Sequence, residues 1–202
     1  AQTEQSPTVF IVDDDAAIRF AMQALMDSVN LNHEIFASAD DFLEKIGEQR
    51  PGCLVLDIRM PGLGGLELQE ELIKRGNTLP IIFITGHGDV PMAVEAMQKG
   101  AVDFIQKPFR DQELLDRIRE ALATDEERRE EQQHHAEVAG RLERLTNRER
   151  EVFDLVVTGK PNKVIAYELG VSQRTVEIHR ARVMEKMQAR SLADLVKMHM
   201  TA

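Results

Sequence analysis

Asp13, Asp14, Asp57, Thr85 and Lys107 bring three carboxylates, a hydroxyl and an amine to a chain of 202 residues. Each stands at or just beyond the end of a short apolar run: Val9-Phe10-Ile11-Val12, Cys53-Leu54-Val55-Leu56, Ile81-Ile82-Phe83-Ile84 and Asp103-Phe104-Ile105-Gln106. Such runs read as buried parallel strands, and open α/β sheets build their sites at the C-terminal strand ends. Three carboxylates gathered there repel one another, so a divalent cation is the natural resident. Oxygen-only ligation that leaves room for water and a phosphate favours Mg2+ over Zn2+. Asp57 is the best nucleophile, because a carboxylate can accept a phosphoryl group as an acyl phosphate. Lys107, with the metal, would neutralise charge on the equatorial oxygens, and Thr85 would donate a hydrogen bond to one of them. Taken singly, an Asp after a strand is commonly a helix cap and Lys-Pro a turn; all five arriving together in register is not explained that way.

The elements that must position these groups follow from periodicity. Ile18, Met22, Leu25 and Met26 form a helical stripe. Phe42, Leu43 and Ile46 form another, behind a Ser38 cap with Asp41 three residues on. Leu66, Leu68, Leu72 and Ile73 follow the third strand, Val94, Ala96 and Met97 the fourth, and Leu114, Leu115, Ile118 and Leu122 the fifth. Five strand-helix alternations over residues 1–123 predict an α/β doubly wound, five-stranded parallel sheet with helices on both faces. Gly62, Gly64, Gly65, Gly86 and Gly88 fall in loops at the strand ends, where the backbone must bend or approach a ligand. The single cysteine, Cys53, reads as a small buried hydrophobe.

Composition changes after residue 123. Residues 124–141 are rich in Glu, Arg and Gln, contain no Pro, and predict a charged helix continuing from the fifth one, without the apolar seam of a coiled coil. The adjacent His134 and His135 point to different sides of such a helix and read as surface residues. Residues 1–140 hold 13 Lys and Arg against 27 Asp and Glu, a net of -14, whereas residues 141–202 carry +4. A basic terminal domain on an acidic body is the asymmetry expected when one half meets a polyanion. No run is long enough to cross a bilayer, and the polar start lacks a signal segment, so a cytoplasmic protein with no membrane partner is expected.

Residues 142–202 read as an all-α domain of four short helices. Thr146 to Glu149 is a capping box, Pro161 suits a first helical turn, Gly170 breaks a helix, and Ser172 and Ser191 can cap the next two. Ala166 and Gly170, with Ile165, Leu169, Val171 and Val176 as apolar contacts, fit a helix-turn-helix. Its second helix carries Arg174, Glu177, Arg180 and Arg182 on an exposed face, while Val176, Val183 and Met187 can turn inward. Arginines at helical spacing suit phosphates and guanine edges, and Glu177 could accept from cytosine.

Over residues 6–123, Val12-Asp13-Asp14, Leu56-Asp57-Ile58-Arg59-Met60-Pro61-Gly62, Thr85-Gly86 and Lys107-Pro108 resemble the receiver domain of two-component response regulators. The resemblance implies phosphorylation of Asp57 by a sensor histidine kinase, and Mg2+ held by Asp13, Asp14, Asp57 and the backbone carbonyl of Arg59. It also implies a cis Lys107-Pro108 peptide, and a switch in which Thr85 is coupled to the burial of Phe104. Residues 142–200 resemble a LuxR-type output domain through Leu145-Thr146, Asn162-Lys163, Ile165-Ala166, Ser172, Thr175-Val176 and His179. That implies a third helix in the major groove of double-stranded DNA, with Lys163, Ser172 and Arg174 on phosphates. Glu177, Ile178, Arg180 and Ala181 would face the bases, Arg182 would add to the contact, and His179 would be structural. The whole is similar to FixJ-type regulators of the FixJ/NarL class, which implies a homodimer when phosphorylated and an encounter with RNA polymerase.

Three other readings compete, the first a phosphorylation-independent DNA-binding protein whose receiver only mediates assembly. Aspartyl-phosphate hydrolases place a second Asp two residues after the nucleophile, and here that place holds Arg59. A signalling phosphatase or phosphate sink, whose last module binds protein rather than DNA, is the third.

Overall fold

The computed structural model describes residues 6–47, 49–86 and 90–201. Gly88, one of the loop glycines named above, lies outside the described residues. Contacts divide the chain into two compact units, Ala1–Arg128 and Arg129–Ala202.

In the first unit, strands β1 (Thr8–Val12), β2 (His33–Phe36), β3 (Gly52–Asp57), β4 (Ile81–Thr85) and β5 (Asp103–Gln106) form one parallel sheet in the order β2-β1-β3-β4-β5. The crossovers are helices α1 (Ala16–Ser28), α2 (Ala39–Lys45), α3 (Gly65–Lys74) and α4 (Val90–Gln98). Helix α5, Asp111–Glu143, follows β5 and carries residues of both units. Strand alternation sorts the core onto the two faces. Phe10, Val12, Leu54, Leu56 and Phe83 join Phe42, Leu68 and Ala96 on one face. Val9, Ile11, Cys53, Val55, Ile82 and Ile84 join Met22, Met26, Leu114 and Ile118 on the other.

The two edge strands depart from the buried pattern. In β5 only Ile105 is buried, and Phe104, expected as an apolar strand residue, is exposed. The α4 stripe also turns differently. Ala93 and Ala96 face inward, because their small side chains let the helix sit close, and Val94 and Met97 are left exposed.

The expected linker helix is present, but its beginning is not a solvated stretch. Asp125 is 2% exposed, and its Oδ2 accepts the Gly52 amide at 2.9 Å. Arg128 donates to the Thr78 carbonyl. Gly52 needs its hydrogen side chain, since a Cβ there would meet the Thr8 carbonyl oxygen at 1.9 Å.

The second unit holds α6 (Asn147–Val157), α7 (Asn162–Leu169), α8 (Gln173–Met187) and α9 (Leu192–Thr201) around Val152, Phe153, Ile165, Val176, Val183, Met187 and Leu195. Val138 and Leu142 of α5 join that core. Thr146 and Glu149 form the capping box, and Ser172 and Ser191 accept the amides of Thr175 and Asp194. Pro161 occupies the N-cap of α7, one residue before the first turn in which it was expected.

Candidate functional site

Strand register assembles the acidic site. Val12 pairs with Leu56, so Asp13 and Asp57 follow side by side; Asp57 pairs with Ile84, and Thr85 with Gln106. Thr85 and Lys107 therefore each come one step further along the same edge. Asp13, Asp14 and Asp57 each offer a carboxylate oxygen, and these atoms lie within 4.8 Å of one another. Lys107 Nζ lies 2.6 Å from Asp57 Oδ2 and 3.2 Å from Asp13 Oδ2. Its peptide with Pro108 is cis. Thr85 is buried, its hydroxyl donating to the Ile105 carbonyl at 3.4 Å. Phe104 lies on the neighbouring strand β5, exposed.

The electrostatics match that crowding. Burial holds the Asp13 carboxyl above its ordinary value, and Asp57 adds to the rise; the Asp15 amide and Lys107 oppose it. Burial by itself would lower Lys107, but its hydrogen bond and attraction to Asp57, with Asp13, leave the ammonium above its usual value. An all-oxygen cluster of this kind fits a hard divalent cation. Asp57 Oδ1 also accepts the Arg59 amide at 2.9 Å, which fixes the turn after β3. At Gly65, where α3 starts, a Cβ would meet the Asp57 carbonyl oxygen at 2.4 Å. In β3, Cys53 is fully buried, and burial, with the charge of Asp125, pushes its thiol up to about 12.

Three supporting residues escaped the sequence reading. Arg19 donates to the backbone carbonyls of Asp13 and Asp14, both at 2.8 Å. Asp15 caps α1 through the Ala17 amide at 2.8 Å, and its own amide is taken by Asp13 Oδ1. Asp15 has a readable signal, an Asp just before a helical stripe. Arg19 has none, because an exposed-looking Arg says nothing about which carbonyls it will reach. Asp125 is hidden by its charged neighbours.

In the second unit, Gly170 ends α7 at φ 64°, and Ser172 caps α8. Lys163, Ser172, Arg174, Glu177, Ile178, Ala181 and Arg182 are exposed. Arg180 differs from the expectation of an exposed face. It is half-buried and donates to Asn162 Oδ1 at 3.0 Å, so it ties α8 to the start of α7. His179 is half-buried, with Nδ1 enclosed.

Residues 9–119 match the family of the response regulator receiver domain, and residues 143–199 match the bacterial regulatory proteins of the luxR family. The chain belongs to the response regulators. Nodulation protein W of Bradyrhizobium diazoefficiens is 50% identical over 193 residues, covering 96% of this chain and 85% of that protein. The transcriptional regulatory protein FixJ of Azorhizobium caulinodans is 45% identical over 198 residues, covering 98% and 94%. The solved structure of the response regulator StyR superposes with a TM-score of 0.90 at 44% identity, covering 98% of this chain and 100% of that one. This response regulator thus pairs a receiver with a LuxR-type DNA-binding domain, an arrangement that implies a kinase and DNA as partners. Among its described residues no helix is long and apolar enough to cross a membrane.

Proposed function

We propose that this response regulator is a cytoplasmic transcription factor, acting as an activator, switched by phosphorylation of Asp57. The observation that carries the reading is the convergence of Asp13, Asp14, Asp57 and Lys107 at one sheet edge. An Asp57 carboxylate oxygen attacks the phosphorus of a phosphohistidine on a sensor kinase. The new O–P bond forms as the P–N bond breaks, and its electron pair leaves on the imidazole nitrogen. Asp13, Asp14, Asp57 and the Arg59 carbonyl would hold Mg2+, which when bound supplies positive charge against the phosphoryl oxygens. Lys107 supplies a second cation at the attacking group. Arg19 and Asp15 keep the acidic loop in place for the ion. Beyond assisting this transfer and the later hydrolysis of the acyl phosphate, in which water attacks phosphorus and the Asp57 carboxylate and inorganic phosphate are released, the chain performs no catalysis.

The added phosphoryl group carries about -1.5 to -2 charges. It draws the Thr85 hydroxyl from the Ile105 carbonyl and opens room for Phe104 to turn inward. Because Phe104 lacks a hydroxyl, the switch works through ring burial. Val90, Val94 and Met97 on α4, with Phe104 on β5, give that face an exposed apolar surface, which supports a homodimer between receivers. Two copies then set two α8 helices on a two-fold operator. Lys163, Ser172 and Arg174 meet phosphates, and Glu177, Ile178, Ala181 and Arg182 reach the groove. Arg180 joins them only by releasing Asn162. RNA polymerase is recruited by the bound dimer. Analytical ultracentrifugation with beryllofluoride and Mg2+ tests this reading: wild type dimerises and Asp57→Asn stays monomeric, whereas equal behaviour of the two would overturn it.

A further inference from the structure

Helix α4 is fastened to the receiver unevenly. Its buried residues are Ala93 and Ala96, both small, so the sheet holds it by little apolar surface. The C-terminal turn, by contrast, is held three times. The Gly100 and Ala101 amides close a Schellman cap on the carbonyls of Met97 and Ala96, with Gly100 at φ 94°. Lys99 pairs with Glu70 of α3 and with Glu95, both at 2.6 Å. Gln69 of α3, 1% exposed, donates its Nε2 amide to the same Ala96 carbonyl at 3.0 Å.

Gln69 is a costly way to join two helices. Its Oε1 is buried with no hydrogen-bond donor among the described residues. An unmet buried acceptor is a penalty that an unbranched apolar side chain of similar length avoids. What the amide does make is one bond, from Nε2 to the Ala96 carbonyl, which ties α3 to the last turn of α4. Beside the clamp, a groove of about 610 Å³ is lined by Met60, by Leu66, Glu67 and Glu70 of α3, and by Met92 and Glu95 of α4. The helix thus has a fixed end and open space alongside.

We propose that the Gln69–Ala96 hydrogen bond is the pivot of the receiver switch. With its last turn pinned to α3, α4 swings its first half, and Met92, already on the groove wall, moves further across it, which re-sets Val90 and Val94 against Phe104. The pivot rests on the phosphorylation reading above and adds the hinge on which it turns.

The test uses the full chain with beryllofluoride and Mg2+, comparing wild type, Gln69→Met and Leu66→Phe. In wild type the Gly100 and Ala101 amides resist hydrogen exchange with and without beryllofluoride, while the first half of α4 changes protection. Gln69→Met speeds exchange at Gly100 and Ala101 by about tenfold, the loss of one buried hydrogen bond, and weakens beryllofluoride-driven dimerisation by a similar factor. Leu66→Phe fills the groove, leaves those two amides protected and also weakens dimerisation. If wild type fails to dimerise, the phosphorylation reading falls. If wild type dimerises and Gln69→Met, folded by circular dichroism, matches it in both measurements, the pivot is wrong. Should Gln69→Met not fold, Leu66→Phe decides alone, and dimerisation equal to wild type overturns the pivot.

Discussion

The Lys107 ammonium stands 2.6 Å from Asp57 Oδ2. It thereby competes with any divalent cation for the carboxylate proposed as the phosphoryl acceptor. Lys107→Met removes that competitor and leaves Asp13 and Asp57 facing each other with no cation at 2.6 Å. The Mg2+ dissociation constant, read from the rise in melting temperature over a Mg2+ titration, is expected to fall by about tenfold, the scale of one charge-assisted contact. Asp13→Asn is expected to abolish the Mg2+ effect.

Asp125 is the buried acceptor of the Gly52 amide, at 2.9 Å. Asp125→Ala leaves that amide unpaired where β3 begins, and the receiver is expected to lose about 1–3 kcal/mol. Urea denaturation of the full chain, followed through the receiver's transition, checks this. An Asp125→Asn chain should recover much of the loss, because its carbonyl oxygen can still accept.

Glu149, buried in the second unit, accepts from Lys186 at 2.6 Å and from the Thr146 amide at 2.8 Å. The Lys186 bond first, and the Thr146 bond second, hold its carboxyl below the usual glutamate range. A carboxyl lowered on folding contributes stability that is present above its unfolded value and lost as pH falls through its folded one. The second unit's melting temperature is therefore expected to drop as acid passes below the glutamate range. The Glu149→Gln chain, less stable at neutral pH, should show a flatter decline.

Exposed Arg174 and exposed Glu177 sit three residues apart on α8. Arg174→Ala is expected to weaken duplex binding evenly across sequences and to reduce the salt slope by about 1. Glu177→Ala should instead change which sequence is preferred, read by selection from random duplexes. Asn162→Ala separates a third role. It frees Arg180, so any gain in contact to bases would appear as altered selection without a changed salt slope.

The acidic edge was legible because strand ends and charged residues coincide in the sequence: Asp13, Asp57, Thr85 and Lys107 each stand at or just beyond the end of an apolar run. The helix caps at Ser38, Thr146, Ser172 and Ser191 were legible for the same reason, since a cap is a local choice of residue. What periodicity could not give was which side of an amphipathic element is covered. Val94 and Met97 share a stripe with Ala96, yet the helix packs on its alanines, because closeness to α3 and the sheet outweighs the area of larger side chains. Phe104 is outward for a related reason, β5 being an edge strand. Arg19, Gln69, Asp125 and the Arg180–Asn162 bond are tertiary contacts between residues of ordinary type, and no spacing announces them.

Intact-mass measurement of the full chain after incubation with acetyl phosphate, with and without Mg2+, bears most directly on the convergence of Asp13, Asp14 and Asp57. The expected result is one alkali-labile phosphoryl adduct that requires Mg2+, maps to Asp57, and disappears in Asp57→Asn and Asp13→Asn. An adduct of equal yield in Asp57→Asn, or none in wild type at saturating donor, would contradict the account.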